Sequence, residues 1–200
     1  GYFPLARCMT VFSAEDENFF ARKTGHEQVV RIPNRVRHVP QDQVLIDQLS
    51  ANATERLRLL RISRITRHYE KTLADSINLL KSLRERGLDA GLYIVGRIYD
   101  HTVFQKIVKN AGPHVHVITD ERFTVNAKQI IGFGDLVIGT GRSLMEAVTL
   151  RKTVLCPVSN LSVPCLVSRA NVERLAATNF SERGRLDTTD AREISRIMDR

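Results

Sequence analysis

The stretch Asp135-Leu-Val-Ile-Gly-Thr-Gly-Arg-Ser-Leu-Met-Glu-Ala-Val148 reads as a buried strand, a glycine turn and the start of a helix, with one acid a turn inside that helix. Val137 and Ile138 supply β-branched bulk for a core strand, while Gly139 and Gly141 let the backbone bend and approach a ligand closely. The amides of Arg142, Ser143 and Leu144 are expected to be first-turn donors aligned with the positive end of the helix dipole. A phosphate or carboxylate fits such a turn. An ordinary strand-to-helix connection has the same composition, so this stretch alone leaves both readings open.

Outward from this stretch the pattern repeats. Strand-like runs fall at 59–63, 91–95, 115–119, 136–138 and 153–157, with helix-like segments between them. Leu73, Ile77, Leu80 and Leu83 mark the apolar face of the first such helix, and Phe104, Ile107 and Val108 that of the second. Repeated βα units with near-continuous apolar strands predict an α/β fold, a Rossmann-like and mostly parallel sheet with helices on both faces. Ligands of such sheets bind beyond the carboxyl ends of the strands. A terminal helix is expected from Asp190, with Ile194, Ile197 and Met198 on one face and Thr188 or Thr189 as its cap.

Towards the amino terminus, Cys8–Phe12 predicts a strand and Ser13 an N-cap, with Glu15, Asp16 and Glu17 in the first turn of the helix that follows. A second apolar run, 28–32, stops at Pro33-Asn34, which suits a crossing between two lobes. Residues 35–43 read as a loop, with a short helix near Val44–Leu49. The chain begins at Gly1 with a strand and helix already under way, so it reads as a piece of a longer protein.

Thirty basic and 22 acidic residues leave a formal charge of +8, which points to anionic partners. Basic residues lack the interleaved aromatics of a single-strand binder, so nucleic acid is not the expected partner. Three cysteines (Cys8, Cys156, Cys165) form no metal-ligand spacing, and the last two sit in apolar runs where a thiol packs as a small hydrophobe. No apolar run approaches the roughly 20 residues that span a bilayer. The expected location is cytoplasmic, with peripheral contact at the inner face of an anionic membrane left open.

Several site chemistries fail on spacing. A dinucleotide fingerprint needs a third glycine where Leu144 stands and an acid where Cys156-Pro157 ends the next strand. No Walker loop occurs, and a nucleophile elbow around Ser143 needs glycine where Met145 stands. His114 and His116 share one strand face without an accompanying acid cluster, and read as surface or packing residues; no metal site is expected. What remains is a set of strand-end features from separate βα units: Arg64, Lys71, Gly96 and the turn 139–146. Two cations and a helix N-terminus make a diphosphate clamp, and Glu146 is suited to accept from a vicinal diol. Solvated cations and a helix-favouring Glu146 are the plainer alternative.

In these residues the chain resembles the carboxyl-terminal lobe of the GT-B glycosyltransferases, in particular their large retaining group. The likeness runs from about Val29 to the end. Val30-Arg-Ile-Pro-Asn34 is similar to the inter-lobe segment, Ile62-Ser-Arg64 with Glu70-Lys71 to the Arg and Lys pair, Ile94-Val-Gly96 to the next strand end, and Gly139–Ala147 to the glycine loop with its ribose-binding Glu. The resemblance implies a domain that binds a nucleotide-sugar donor, for transfer to an acceptor held by a second, N-terminal lobe. Arg64 and Lys71 would take catalytic roles on the diphosphate, assisted by Gly96, Gly139, Gly141 and the amides of Arg142, Ser143 and Leu144, and Glu146 would hold the ribose, without a metal or other cofactor. It implies that residues 1–28 are the end of the N-terminal lobe, 29–57 the crossing, and 58–200 the donor domain, which by itself would be inactive. Three positions depart from the pattern. Ile138 stands where a donor-sugar Glu is common, Thr72 replaces a glycine after the lysine, and Arg151 replaces the glycine that ends the loop helix. A left-handed Arg costs about 1 kcal/mol, so that helix is expected to end another way. Two other readings stay open: a non-catalytic module that binds nucleic acid or anionic membrane, and a sugar-nucleotide epimerase, although Ala147 stands where epimerases pair a second acid.

Overall fold

The computed structural model describes residues 8–23 and 28–199. Its centre is a six-stranded sheet in the order β5-β4-β3-β6-β7-β8. The strands are β3 (Leu57–Ile62), β4 (Ala90–Val95), β5 (Val115–Ile118), β6 (Leu136–Ile138), β7 (Thr153–Cys156) and β8 (Cys165–Leu166). The first five are parallel and β8 is antiparallel to β7. The sequence reading left β8 out, because two residues carry no periodicity. Register aligns Leu60 with Tyr93 on one side and Val137 on the other.

Alternation along the strands divides the core between two faces. Leu59, Leu92, Ile94, Leu136, Ile138 and Leu155 face α3 (Glu70–Glu85), α4 (His101–Asn110) and α8 (Asp190–Met198). Leu60, Tyr93 and Val95 pack with α2 (Gln43–Ala51), α5 (Glu121–Thr124) and a 3-10 stretch, Ala127–Phe133. Val137, Val154 and Cys156 pack with α6 (Gly141–Thr149) and α7 (Val172–Ala177). Each fully buried Leu or Ile contributes about 1.5–3 kcal/mol, so the sheet is held mainly by these layers. The expected stripe of α3 is buried at all four positions. In α4 the buried pair is Val103 and Ile107, and Val108 is exposed, because positions four apart share a helix face. Met198 is likewise half exposed while Ile194 and Ile197 are buried.

Caps explain the element boundaries. Asp42 and Asp100 accept from amides of the first turns of α2 and α4, and Thr189 does so for α8. Arg151 is a correction to the sequence reading, for it does adopt the left-handed region, at φ 57°. Its amide donates to Val148 O at 2.9 Å and the Lys152 amide to Ala147 O at 3.2 Å, which closes α6 in a Schellman motif despite the side chain.

Strands β1 (Met9–Val11) and β2 (Val29–Arg31) form their own two-stranded parallel sheet. Between them lies α1 (Ala14–Lys23), whose Ser13 accepts from the Asp16 amide at 3.0 Å. Cys8 is exposed, whereas Cys156 and Cys165 are buried opposite each other in the β7–β8 register. Burial pushes the Cys165 thiol up to about 12.

His114 and His116 do more than the surface or packing role expected of them. Glu55 Oε1 lies 3.1 Å from His114 Nδ1 and 3.1 Å from His116 Nε2, while Tyr93 donates its hydroxyl to Glu55 Oε2 at 2.6 Å. An ionised carboxylate only accepts, so both facing ring nitrogens carry hydrogen. Gly91 leaves the room this carboxyl occupies, since a Cβ there would sit 2.7 Å from Glu55 Cδ.

Candidate functional site

In the strand order, β3 connects to β4 on one side while β6 returns on its other side, so the sheet reverses direction between β3 and β6. That reversal opens a crevice at the carboxyl ends of the strands. A cleft of about 1000 Å³ lies there. Ser63 and Arg64 after β3, Gly96 and Arg97 after β4, and Thr140–Ser143 at the start of α6 line its floor.

The backbone makes this convergence possible at two glycines. Gly96 packs so closely on the loop after β3 that a Cβ would overlap the Ser63 carbonyl oxygen. Gly141 sits at φ +51°, a left-handed conformation that lets the chain turn from β6 into α6. Its amide donates to Phe180 O at 3.0 Å, and the Ser143 hydroxyl donates to Thr140 O at 3.0 Å. The amides of Arg142 and Ser143 remain as first-turn donors at the positive end of α6.

Five of the nine residues singled out from sequence therefore meet in one cleft: Arg64, Gly96, Gly141, Arg142 and Ser143. Two lie beneath it. Leu144 is buried in the core, and as the fourth helical residue its amide belongs to the helix ladder, which corrects the expectation of a free donor. Gly139 allows α6 to sit against β6, because a Cβ there would come 3.0 Å from the Leu144 amide nitrogen. Lys71 is not brought to the cleft. Its Nζ donates to Asp75 at 2.7 Å and to the Leu161 carbonyl at 2.8 Å, which ties α3 to the loop after β7. Asp75 is buried, and burial pushes its carboxyl up against the opposing pull of Lys71.

Glu146 lines a separate, adjoining cavity of about 440 Å³, together with Arg35, Arg37, His38 and Lys128. Arg142 belongs to both cavities and stands between them. Its Nε donates to Glu146 Oε1 at 3.0 Å.

Several cleft residues carried no local signal in the sequence. Arg97, Arg183 and His68 add basic groups, and Glu182, paired to His68 at 2.9 Å, is the one acid among the lining residues. Asn179 arrives from beyond α7, and it and the buried Phe180 behind it have φ of 55° and 52°. A bulky residue in that region is an outlier, and such strain collects at functional sites. Asn34 of the crossing segment donates to Asn179 Oδ1 at 3.1 Å. Arg183 grips Asp16 of α1 with both Nη groups at 3.1 Å. Burial pushes the Asp16 carboxyl up, but the hydrogen bonds from Arg183 and Ser13 outweigh it and hold it below its ordinary value. The Thr124 hydroxyl on the far wall is buried without a partner.

No family model matches the chain, and no curated protein matches it in sequence. Its fold does match solved structures. HepE of Anabaena, solved with UDP and glucose, superposes with a TM-score of 0.58 at 16% identity, over 74% of this chain and 44% of HepE. The pneumococcal O-GlcNAc transferase GtfA, solved with UDP and GlcNAc, gives 0.55 at 16% identity, over 97% of this chain and 38% of GtfA. WaaG, a glycosyltransferase of lipopolysaccharide biosynthesis, gives 0.52 at 17% identity, over 73% of this chain and 43% of WaaG. The chain thus spans less than half the length of each of these GT-B enzymes. Its mostly parallel six-stranded sheet is the Rossmann-like domain fold of the GT-B glycosyltransferases.

Proposed function

We propose that the chain is the donor-binding part of a nucleotide-sugar-dependent glycosyltransferase, and that the cleft between β3 and β6 takes the nucleoside diphosphate. The observation that carries this reading is the convergence of four arginines, Arg64, Arg97, Arg142 and Arg183, with the N-terminus of α6 at the reversal point of the sheet. Arg64 and Arg97 have no side-chain partner among the described residues, so their guanidinium groups are free to grip phosphate oxygens in pairs. The fold neighbours solved with UDP support the same class of ligand. The wall made by Thr124, Val125 and Ala127 is offered to the base.

In such a reaction the bond between the sugar and the diphosphate breaks, and negative charge grows on the departing phosphate oxygen. Fixed positive groups stabilise that charge more than they stabilise the bound donor, which is what accelerates transfer. Here those groups are Arg64, Arg97 and the Arg142 and Ser143 amides. Lys71 takes no part unless it leaves Asp75. The acceptor would be held by a second lobe.

Thermal melting in the presence of UDP, GDP and ADP tests the reading. One of them should raise the melting temperature, and Arg64→Ala should weaken its binding by about 10- to 100-fold, the equivalent of a lost charge-assisted hydrogen bond at about 1.5–3 kcal/mol. Arg64 is exposed and unpaired, so its removal leaves the fold intact. Absence of a shift with all three nucleotides sinks the proposal.

A further inference from the structure

We infer that Arg142 exchanges partners when the nucleotide enters, and thereby makes the phosphate and ribose halves of the ligand bind cooperatively. The inference rests on the nucleotide reading above, with the ribose taken to sit on Glu146. Arg142 Nε is paired with Glu146 at 3.0 Å, four residues on along α6. The Glu146 side chain is only 10% exposed, whereas that of Arg142 is 64% exposed. Only Nε of Arg142 is engaged, and both of its Nη groups are unpartnered among the described residues.

Arg142 lines the large cleft and the smaller cavity, and Glu146 lines only the smaller. A ribose that hydrogen-bonds Glu146 Oε1 takes the oxygen that Arg142 Nε holds. Two diol O–H groups can replace Nε on the carboxylate. The released guanidinium then turns its fork to phosphate oxygens beside its own amide.

Each half of the ligand supplies what the other displaces. A nucleoside alone takes Glu146 and leaves Arg142 without its acid. Inorganic pyrophosphate alone draws Arg142 away and leaves a nearly buried carboxylate uncompensated, which is a costly state. Only the whole nucleotide satisfies both groups, and the coupling is reciprocal between the two halves.

The test is a set of NMR titrations of the 200-residue chain, up to millimolar ligand. The ligands are the nucleoside diphosphate selected by thermal melting, its nucleoside and inorganic pyrophosphate. Arg142→Gln should tighten the nucleoside several-fold and weaken the diphosphate by about tenfold, a usual size for coupling between sites. Glu146→Gln should do the reverse, with tighter pyrophosphate and a weaker nucleoside. If Arg142→Gln leaves the nucleoside unchanged or weakens it, the exchange is overturned while the nucleotide site stands. Arg142 is exposed, so this arm decides the matter even where Glu146→Gln does not fold. If no nucleoside diphosphate binds the unaltered chain, the exchange and the nucleotide reading fall together.

Discussion

Arg151 shows how a single residue can oppose the structure that contains it. The Schellman hydrogen bonds that close α6 require a left-handed residue at this position, and the chain supplies an arginine. The surrounding packing wins, because β7 must begin at Thr153 beside β6. Arg151→Gly is expected to raise stability by about 0.5–1 kcal/mol, the left-handed strain removed less the entropy that glycine adds to the unfolded chain. Urea unfolding measures it, and a loss of stability would contradict the account. Arg61 is a second residue-scale conflict. Its guanidinium is fully buried, donates to Thr72 at 3.0 Å, and leaves Nε and Nη1 unpartnered. Burial pulls it down to about 10, so it stays charged at neutral pH. Neither conflict was fully legible in sequence. The missing glycine at 151 was visible, but whether the helix would bend to avoid the strain depended on β7; Arg61 looked like any basic residue in a strand.

Among the elements, the informative case is the group that binds β5 to its neighbours. Glu55, just before β3, gathers Tyr93 of β4 and both histidines of β5 onto one carboxylate. Burial pushes that carboxyl up, but the hydrogen bonds from Tyr93, His116 and His114 outweigh it and bring it down to about 2 from an ordinary 4.5. The sign follows from the depressed value. The stabilisation is fully present above pH 4.5 and is lost as pH falls towards 2. Its size is on the order of 3 kcal/mol. Glu55→Gln should therefore lower stability near pH 7 by about that much and flatten the acid limb between pH 4.5 and 2. Denaturant unfolding across that range checks it, and parallel acid limbs in variant and parent would refute it. The parallel strands and the longer helices were legible, because period 2 and period 3.6 are local signals. The partner of His114 and His116 was not, since Glu55 lies 59 and 61 residues away in the chain.

Across the molecule, the β1–α1–β2 unit and the cleft meet through a small number of polar contacts. Arg183 pairs with Asp16 and Glu15 of α1, and Asn34 reaches Asn179. Such partly exposed ion pairs are worth about 0–1 kcal/mol each and are screened by salt. Asp16→Asn, or salt near 1 M where the screening length is about 3 Å, should hasten hydrogen exchange in α1 and leave β3 and β4 unchanged. Equal protection of α1 under all three conditions would show that the contact is not electrostatic. The sequence by itself determined the α/β class, the positions of the five parallel strands of the main sheet, the glycine turn and the cationic character of the site, because all of these follow from periodicity, backbone freedom and residue charge within short windows. Only the tertiary structure decided which cations share the cleft. It brought Arg97, Arg183 and Asn179 in, tied Lys71 to Asp75, and set Arg142 between the large cleft and the smaller cavity that Glu146 lines. The physical reason is that side-chain direction depends on packing between elements far apart in the chain, and no local pattern encodes it.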